Sequence, residues 1–270
     1  MNATLTPAGR RVRAFAKRAW IQQGTMALWL SVLIGAGYGL LVLLAPGGTE
    51  TMPEMSAIIG SQTTDLAAVL GSDGKAHLMS SYMLVMAPAL LGALVGIVAT
   101  LTLPGVVADD VSGGGIEVLL ASPIPRRNLF QAYLGAGLLL TSASWAAATL
   151  SFTAAVTLIA LLTQTAVTMT MPYLMALIVL PLSMGIWSAT ITLFGALLYP
   201  RALESRAGMN GGPIRLLAIA PTLFAVPSVV FLDQWVLPVL GAALLTTLAA
   251  SILIIHTTAR RFQSTRILGN

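Results

Sequence analysis

The sequence contains no cysteine, only two lysines and two histidines, and few charges of any kind, since Asp, Glu, Lys and Arg make up 9% of its 270 residues. Without cysteine there are no disulfides, no thiolate metal sites and no thiol nucleophile. The histidines, His77 and His256, stand in no HExxH motif and beside no acidic cluster of ligand spacing, which leaves a zinc centre unsupported. No serine has a candidate base near it. A phosphate-binding loop of the form G-x-x-x-x-G-K-[ST] cannot be written with Lys17 and Lys75 alone. The nearest approach, GSDGKA at 71–76, has the wrong spacing and carries Ala76 where the metal-binding hydroxyl belongs. The chain is therefore not read as an enzyme, and no cofactor is expected on it.

Charge is also absent over long stretches, with none from 78 to 108 and none from 128 to 200. What fills them is hydrocarbon, because hydrophobic residues are 57% of the chain, well above the soluble norm. A helix crosses the hydrocarbon core of a bilayer in about 20 residues. Runs of that length lie near 26–45, 78–103, 129–162, 172–199, 214–232 and 235–256. The stretch 128–200 is long enough for two or three spans, and the positive-inside rule decides between them. Two spans there place Arg126, Arg127, Arg201, Arg206, Arg215, Arg260, Arg261 and Arg266 on the side of the basic N-terminus, with only Lys75 across the membrane. Three would scatter them. The expected fold is an all-α integral membrane protein with six transmembrane helices and both termini cytoplasmic. The net charge of +5 is then topological and calls for no nucleic acid. On this layout no span holds an ionisable group away from its ends, which argues against a proton relay; sodium coupling through carbonyls and hydroxyls needs no charge.

Residues 1–24 form a basic arm. Val12, Phe15, Ala16, Ala19 and Trp20 recur on one helical face, while Arg10, Arg11, Arg13, Lys17 and Arg18 lie off it. The spacing predicts an amphipathic helix lying along the cytoplasmic interface, with Trp20 at headgroup level. On the other side, residues 46–77 form a loop for which a short helix at 64–70, ended by Gly71, is expected. The loop at 163–170 is polar and uncharged.

Between spans two and three the composition changes abruptly, to DDVSGGGIEVLLASPIPRR at 109–127. Three glycines allow a sharp reversal. Residues 116–122 then make about two helical turns, preceded by Asp109 and Asp110 and closed by Pro123. Leu119 and Leu120 on a helix outside the membrane suggest a surface for a partner. The segment resembles the cytoplasmic coupling segment of type 2 ATP-binding-cassette permeases, whose pattern runs approximately G-T-L-E-x-L-L-x-x-P-[IL]-S-R. Gly114, Glu117, Leu119, Leu120, Pro123, Ile124 and Arg126 match it. Gly115 stands where Thr is usual, Pro125 where Ser or Thr is usual, and Asp-Asp-Val-Ser where a charged Glu/Arg cluster is common. The resemblance implies a coupling helix that docks on a separate cytoplasmic P-loop ATPase subunit, which holds ATP and Mg. A second permease chain, identical or not, would complete the pathway. By the same resemblance, Leu119 and Leu120 would fill the ATPase cleft and Glu117 would pair with a basic residue there. Gly114 and Gly115 would shape the turn, Arg126 would lie at the membrane edge, and Arg127 would belong to the same coupling segment.

Other features have plainer readings. Gly35 with Gly39, and Gly92 with Gly96, are small-xxx-small pairs suited to helix packing. Thr141, Ser142, Ser144, Ser151, Thr153 and Thr157 line a pathway or bond to their own helix. Met79, Met83 and Met86 share a face and read as packing rather than as a soft-metal site. Pro172, Pro181, Pro221 and Pro227 predict kinks. The expectation is a multi-pass permease of a prokaryotic cell membrane, exporting an amphiphilic or small-molecule cargo. A secondary carrier or channel without an ATPase, and a non-transporting anchor or regulatory subunit, are the rival readings.

Overall fold

The computed structural model describes residues 14, 17–18, 20–44, 66–71, 74, 76–112, 126–198, 216–222 and 236–261. The protein is predominantly helical. Helices α1 (Thr25–Leu44), α2 (Leu78–Ser112), α3 (Arg126–Thr163), α4 (Met171–Leu198) and α5 (Val236–Arg261) are joined by two short strands, β1 (Ala67–Leu70) and β2 (Ala166–Met169). Four of the expected six spans are continuous helices long and apolar enough to cross a membrane: Thr25–Leu44, Leu78–Leu103, Gln131–Thr163 and Met171–Gly195. The expected fifth span is helical over 216–222, and its other residues lie outside the described set. The expected sixth coincides with α5, whose described apolar stretch, Leu244–His256, is shorter than a crossing.

The strands are a correction. Over Ala67–Leu70 the helix expected at 64–70 is instead β1, which pairs antiparallel with β2 in the loop after α3, Ala67 opposite Met169 and Leu70 opposite Ala166. A helix there would bond only within itself. As a strand, β1 ties the loop before α2 to the α3–α4 turn, and it also binds back onto its own chain. The backbone NH of Val69 donates to Ser81 Oγ at 3.0 Å and the NH of His77 donates to the Val69 carbonyl at 2.8 Å.

The sheet gathers the end of α3 and the starts of α2 and α4 at one end of the bundle. One apolar cluster lies there, built from Tyr38, Val42, Val69, Leu84, Phe152 and Tyr173 among others. A second, including Ala27, Val98, Leu103, Tyr133, Leu140 and Leu193, fills the opposite half. Successive helices α1 to α4 thus alternate in direction. The start of α1, the end of α2 and the start of α3 share the end away from the sheet.

Close backbone approach organises the bundle. A Cβ on Gly35 would overlap the Ala148 carbonyl and Ser151 Oγ of α3, and one on Gly39 would come 2.8 Å from Ala155 Cβ. A Cβ on Gly92 would overlap Met184 Sδ of α4, and one on Gly96 would lie 2.7 Å from Ser188 Oγ. The two glycine pairs therefore seat α1 on α3 and α2 on α4, as small residues do where lipid supplies no hydrophobic drive between helices. The pairs are unequal: α2 is 67% buried over its apolar window and α3 only 28%, so α2 and α4 form the centre and α1 and α3 face outward.

Candidate functional site

At the end away from the sheet, α2 and α3 outrun a bilayer. With 35 and 38 residues they are about 52 and 57 Å long at about 1.5 Å per residue, against a hydrocarbon core of about 30 Å. The helix of α2 does not stop where the apolar run ends but continues through Asp109 and Asp110 to Ser112. Asp109 and Asp110 form the last turn of α2, ahead of the segment where the coupling helix is expected, and Arg126 and Arg127 form the first turn of α3. Both placements oppose the helix dipole, which favours cations at a C-terminus and anions at an N-terminus by about 0.3–1 kcal/mol each. Helix stability alone does not account for them.

Among the coupling residues inferred from the sequence, Gly114, Gly115, Glu117, Leu119, Leu120 and Pro123 lie outside the described residues. So do Arg10, Arg11, Arg13 and Phe15 of the arm. Lys17 and Arg18 are helical and exposed at the same end of the bundle as Arg126 and Arg127. Trp20 opens a π-helical turn, Trp20–Gly24, that joins the arm to α1. Its ring lies over Gly24, where a Cβ would meet Trp20 Cδ2 at 2.9 Å. A π turn takes one residue more than an α turn, and such turns recur at functional positions.

Inside the bundle most hydroxyls are satisfied locally. Thr141 donates to the Gly137 carbonyl, Ser151 to Ala148, Thr153 to Thr149 and Leu150, and Thr157 to Thr153. These α3 hydroxyls bond to their own helix, the plainer of their two readings. Met86 is buried in the core beside the partly buried Met83. Among the described residues no cluster of three metal-ligating side chains occurs. Three buried hydroxyls in this described set, on Thr149, Thr192 and Ser251, have no hydrogen-bond partner.

The polar groups that do reach between helices have a common logic that sequence reading missed. Proline has no NH, so it leaves the carbonyl four residues earlier without its helical partner, and in a membrane neighbouring side chains must supply one. Pro88 frees the carbonyl of Leu84, and the Tyr173 hydroxyl of α4 donates to that carbonyl at 2.6 Å. Pro221 frees the carbonyl of Leu217, and Trp187 Nε1 donates to it at 3.0 Å. Ser188 donates to the adjacent Ala218 carbonyl at 2.8 Å. Trp145 Nε1 donates to Ile178, on the turn that Pro181 opens, and Tyr38 donates to Met83, next to Leu84. An aromatic donor thus serves each of the two carbonyls that Pro88 and Pro221 free, while the acceptors Ile178 and Met83 lie one residue from a freed carbonyl. The signal was present in the sequence as a proline with an apolar residue four before it, but the donor lies 30 to 89 residues away.

Compared with known proteins, the chain matches no family model, no curated protein and no solved structure. The resemblance at 114–126 therefore stands on those residues alone.

Proposed function

We propose that this chain is the membrane-spanning permease subunit of an ATP-driven transporter, working as one of two permease chains with a separate cytoplasmic ATPase. One observation carries the reading. Two helices longer than the bilayer is thick bracket residues 113–125, and those residues bear the Gly-Gly-x-Glu-x-Leu-Leu pattern of a coupling segment. A partner that pushes on this segment would move α2 and α3 directly, and through the glycine contacts it would move α4 and α1 as well. Closure of nucleotide-bound ATPase subunits would then shift the population between two packings of the spans.

The rest of the site supports this division of labour. The sequence provides no phosphate-binding loop, so ATP and Mg belong to the partner. Arg126, Arg127, Lys17 and Arg18 gather at the end we assign to the cytoplasm, where anionic headgroups attract them. The apolar walls suit an amphiphilic cargo, and Thr149, Thr192 and Ser251, buried without partners among the described residues, are hydroxyls free to meet its polar part. Reconstitution in vesicles with the co-purified ATPase tests the reading. Cargo-stimulated ATP hydrolysis that disappears in Leu119→Asp/Leu120→Asp, with the complex otherwise assembled from wild-type ATPase, is the expected result. Movement of cargo that follows an ion gradient and ignores ATP would replace it with the carrier reading.

A further inference from the structure

The two-stranded sheet has one edge that nothing in the described structure covers. The backbone NH of Thr170 donates to the Leu66 carbonyl at 3.0 Å. In an antiparallel pair hydrogen-bonded and non-hydrogen-bonded positions alternate, so Ala68 bonds Thr168 and Leu70 bonds Ala166, while Val69 and Ala67 turn their backbone groups away from β2. The bonds of Val69 confirm the parity, since its NH goes to Ser81 and its carbonyl to His77 on the far side of β1. By the same alternation Val167 and Met169 turn their NH and carbonyl groups away from β1. Among the described residues these groups have no partner.

Exposed edges are normally blunted by lysine, proline or a bulge, and β2, Ala-Val-Thr-Met, has none of these. The loop that carries it is uncharged from 163 to 170. The flanking Leu161, Leu162, Met171 and Met175 are exposed and apolar. We infer that the free edge of β2 pairs antiparallel with β2 of a second copy of this chain, making a four-stranded sheet that closes the sheet end of a dimer. Two features favour this occupant over an unrelated peptide. A neutral strand meets its own copy across a two-fold axis without like-charge repulsion. A bilayer also holds every copy at the same depth and orientation, so a second β2 edge is presented at the matching height. The register that uses both free residues sets Val167 against the partner's Met169 and places Thr168 on the axis. At that non-hydrogen-bonded position the two Cα atoms come within about 4.5 Å, inside the span of a disulfide.

This inference rests on the two-chain permease reading, and the cysteine-free sequence makes it directly testable. Thr168→Cys is oxidised with copper phenanthroline in native membranes, and the copy number of the wild-type complex is read separately by native mass spectrometry. The expected result is two copies, a covalent homodimer through residue 168, and no dimer from Leu41→Cys, which is exposed on α1. Adding Val167→Pro removes an outward NH and none of the bonds to β1, so the cross-link should be largely lost while the melting curve is kept. Should the proline also lower the melting curve, Met169→Lys, which sets a charge opposite the partner's apolar Val167, serves as the second variant. Two copies without the 168 cross-link, or a cross-link that survives both variants, overturns edge pairing alone. A single copy overturns edge pairing, and a single copy with no other permease chain in the complex overturns the two-chain reading with it.

Discussion

Replacing Tyr173 by phenylalanine removes one oxygen from the protein and should leave one buried carbonyl without a donor. Tyr173 is 2% exposed and Leu84 fully buried, so water does not replace the lost hydroxyl. An unsatisfied buried acceptor costs about 1–3 kcal/mol in a soluble core, whereas hydrogen bonds between membrane helices average about 0.6 kcal/mol and reach about 1.7. The phenyl ring keeps its packing beside Leu84 and Met184 in the core, so no cavity term is added. A loss of about 1 kcal/mol is therefore expected, roughly a five-fold shift in the folding equilibrium. The informative measurement is the cycle with Pro88→Ala. Alanine at 88 returns the NH that bonds the Leu84 carbonyl within α2, so Tyr173→Phe should cost almost nothing in that background. Unfolding equilibria in bicelles for the wild type, both single variants and the double variant give the coupling directly. Strictly additive losses would refute the account, because they would mean that the hydroxyl and the proline do not share a carbonyl.

Trp187→Phe should behave likewise, losing stability in the native background and little when Pro221→Ala restores the NH that Leu217 lacks, by the same assay. Gly35→Val should separate α1 from α3 by placing a side chain against the Ala148 carbonyl, at about 1–3 kcal/mol. Gly37→Val, beside open space, should be near neutral in the same unfolding measurement. Thr192→Val and Ser251→Ala should leave stability unchanged or raise it, since neither hydroxyl has a partner, while lowering the cargo-stimulated ATPase rate if cargo uses them; unchanged turnover in both would remove them from the pathway.

The spans were legible because bilayer thickness reads directly as residue number, and α1 to α4 fall close to the expected runs. The glycine pairs were legible for a similar reason: a residue without a side chain, spaced one turn apart, has few uses besides close approach. Which helix each pair would meet was not, because helices apolar on every face carry no stripe to point inward. The strands escaped notice because Ala67–Leu70 is a short apolar run beside Gly71, equally consistent with a fraying helix. The β-branched Val167 and Thr168 were the hint of a strand on the partner side. Pro88 went unremarked, although a proline within a 35-residue helix always leaves a carbonyl to be satisfied. Finding Tyr173 as its donor needs the packing of α4 on α2. Of the coupling end, the structure shows Asp109 and Asp110 in the last turn of α2 and Arg126 and Arg127 in the first turn of α3, while residues 113–125 lie outside the described set.

The central claim is that residues 114–127 dock an ATPase. Gentle solubilisation of the tagged chain from its native membranes, followed by identification of what co-purifies in stoichiometric amount, tests it most directly. The account predicts a P-loop ATPase with the wild type and its loss with Leu119→Asp/Leu120→Asp, the mutant otherwise melting as the wild type does. A wild-type chain recovered without any ATPase, under conditions that keep known membrane complexes intact, would contradict it.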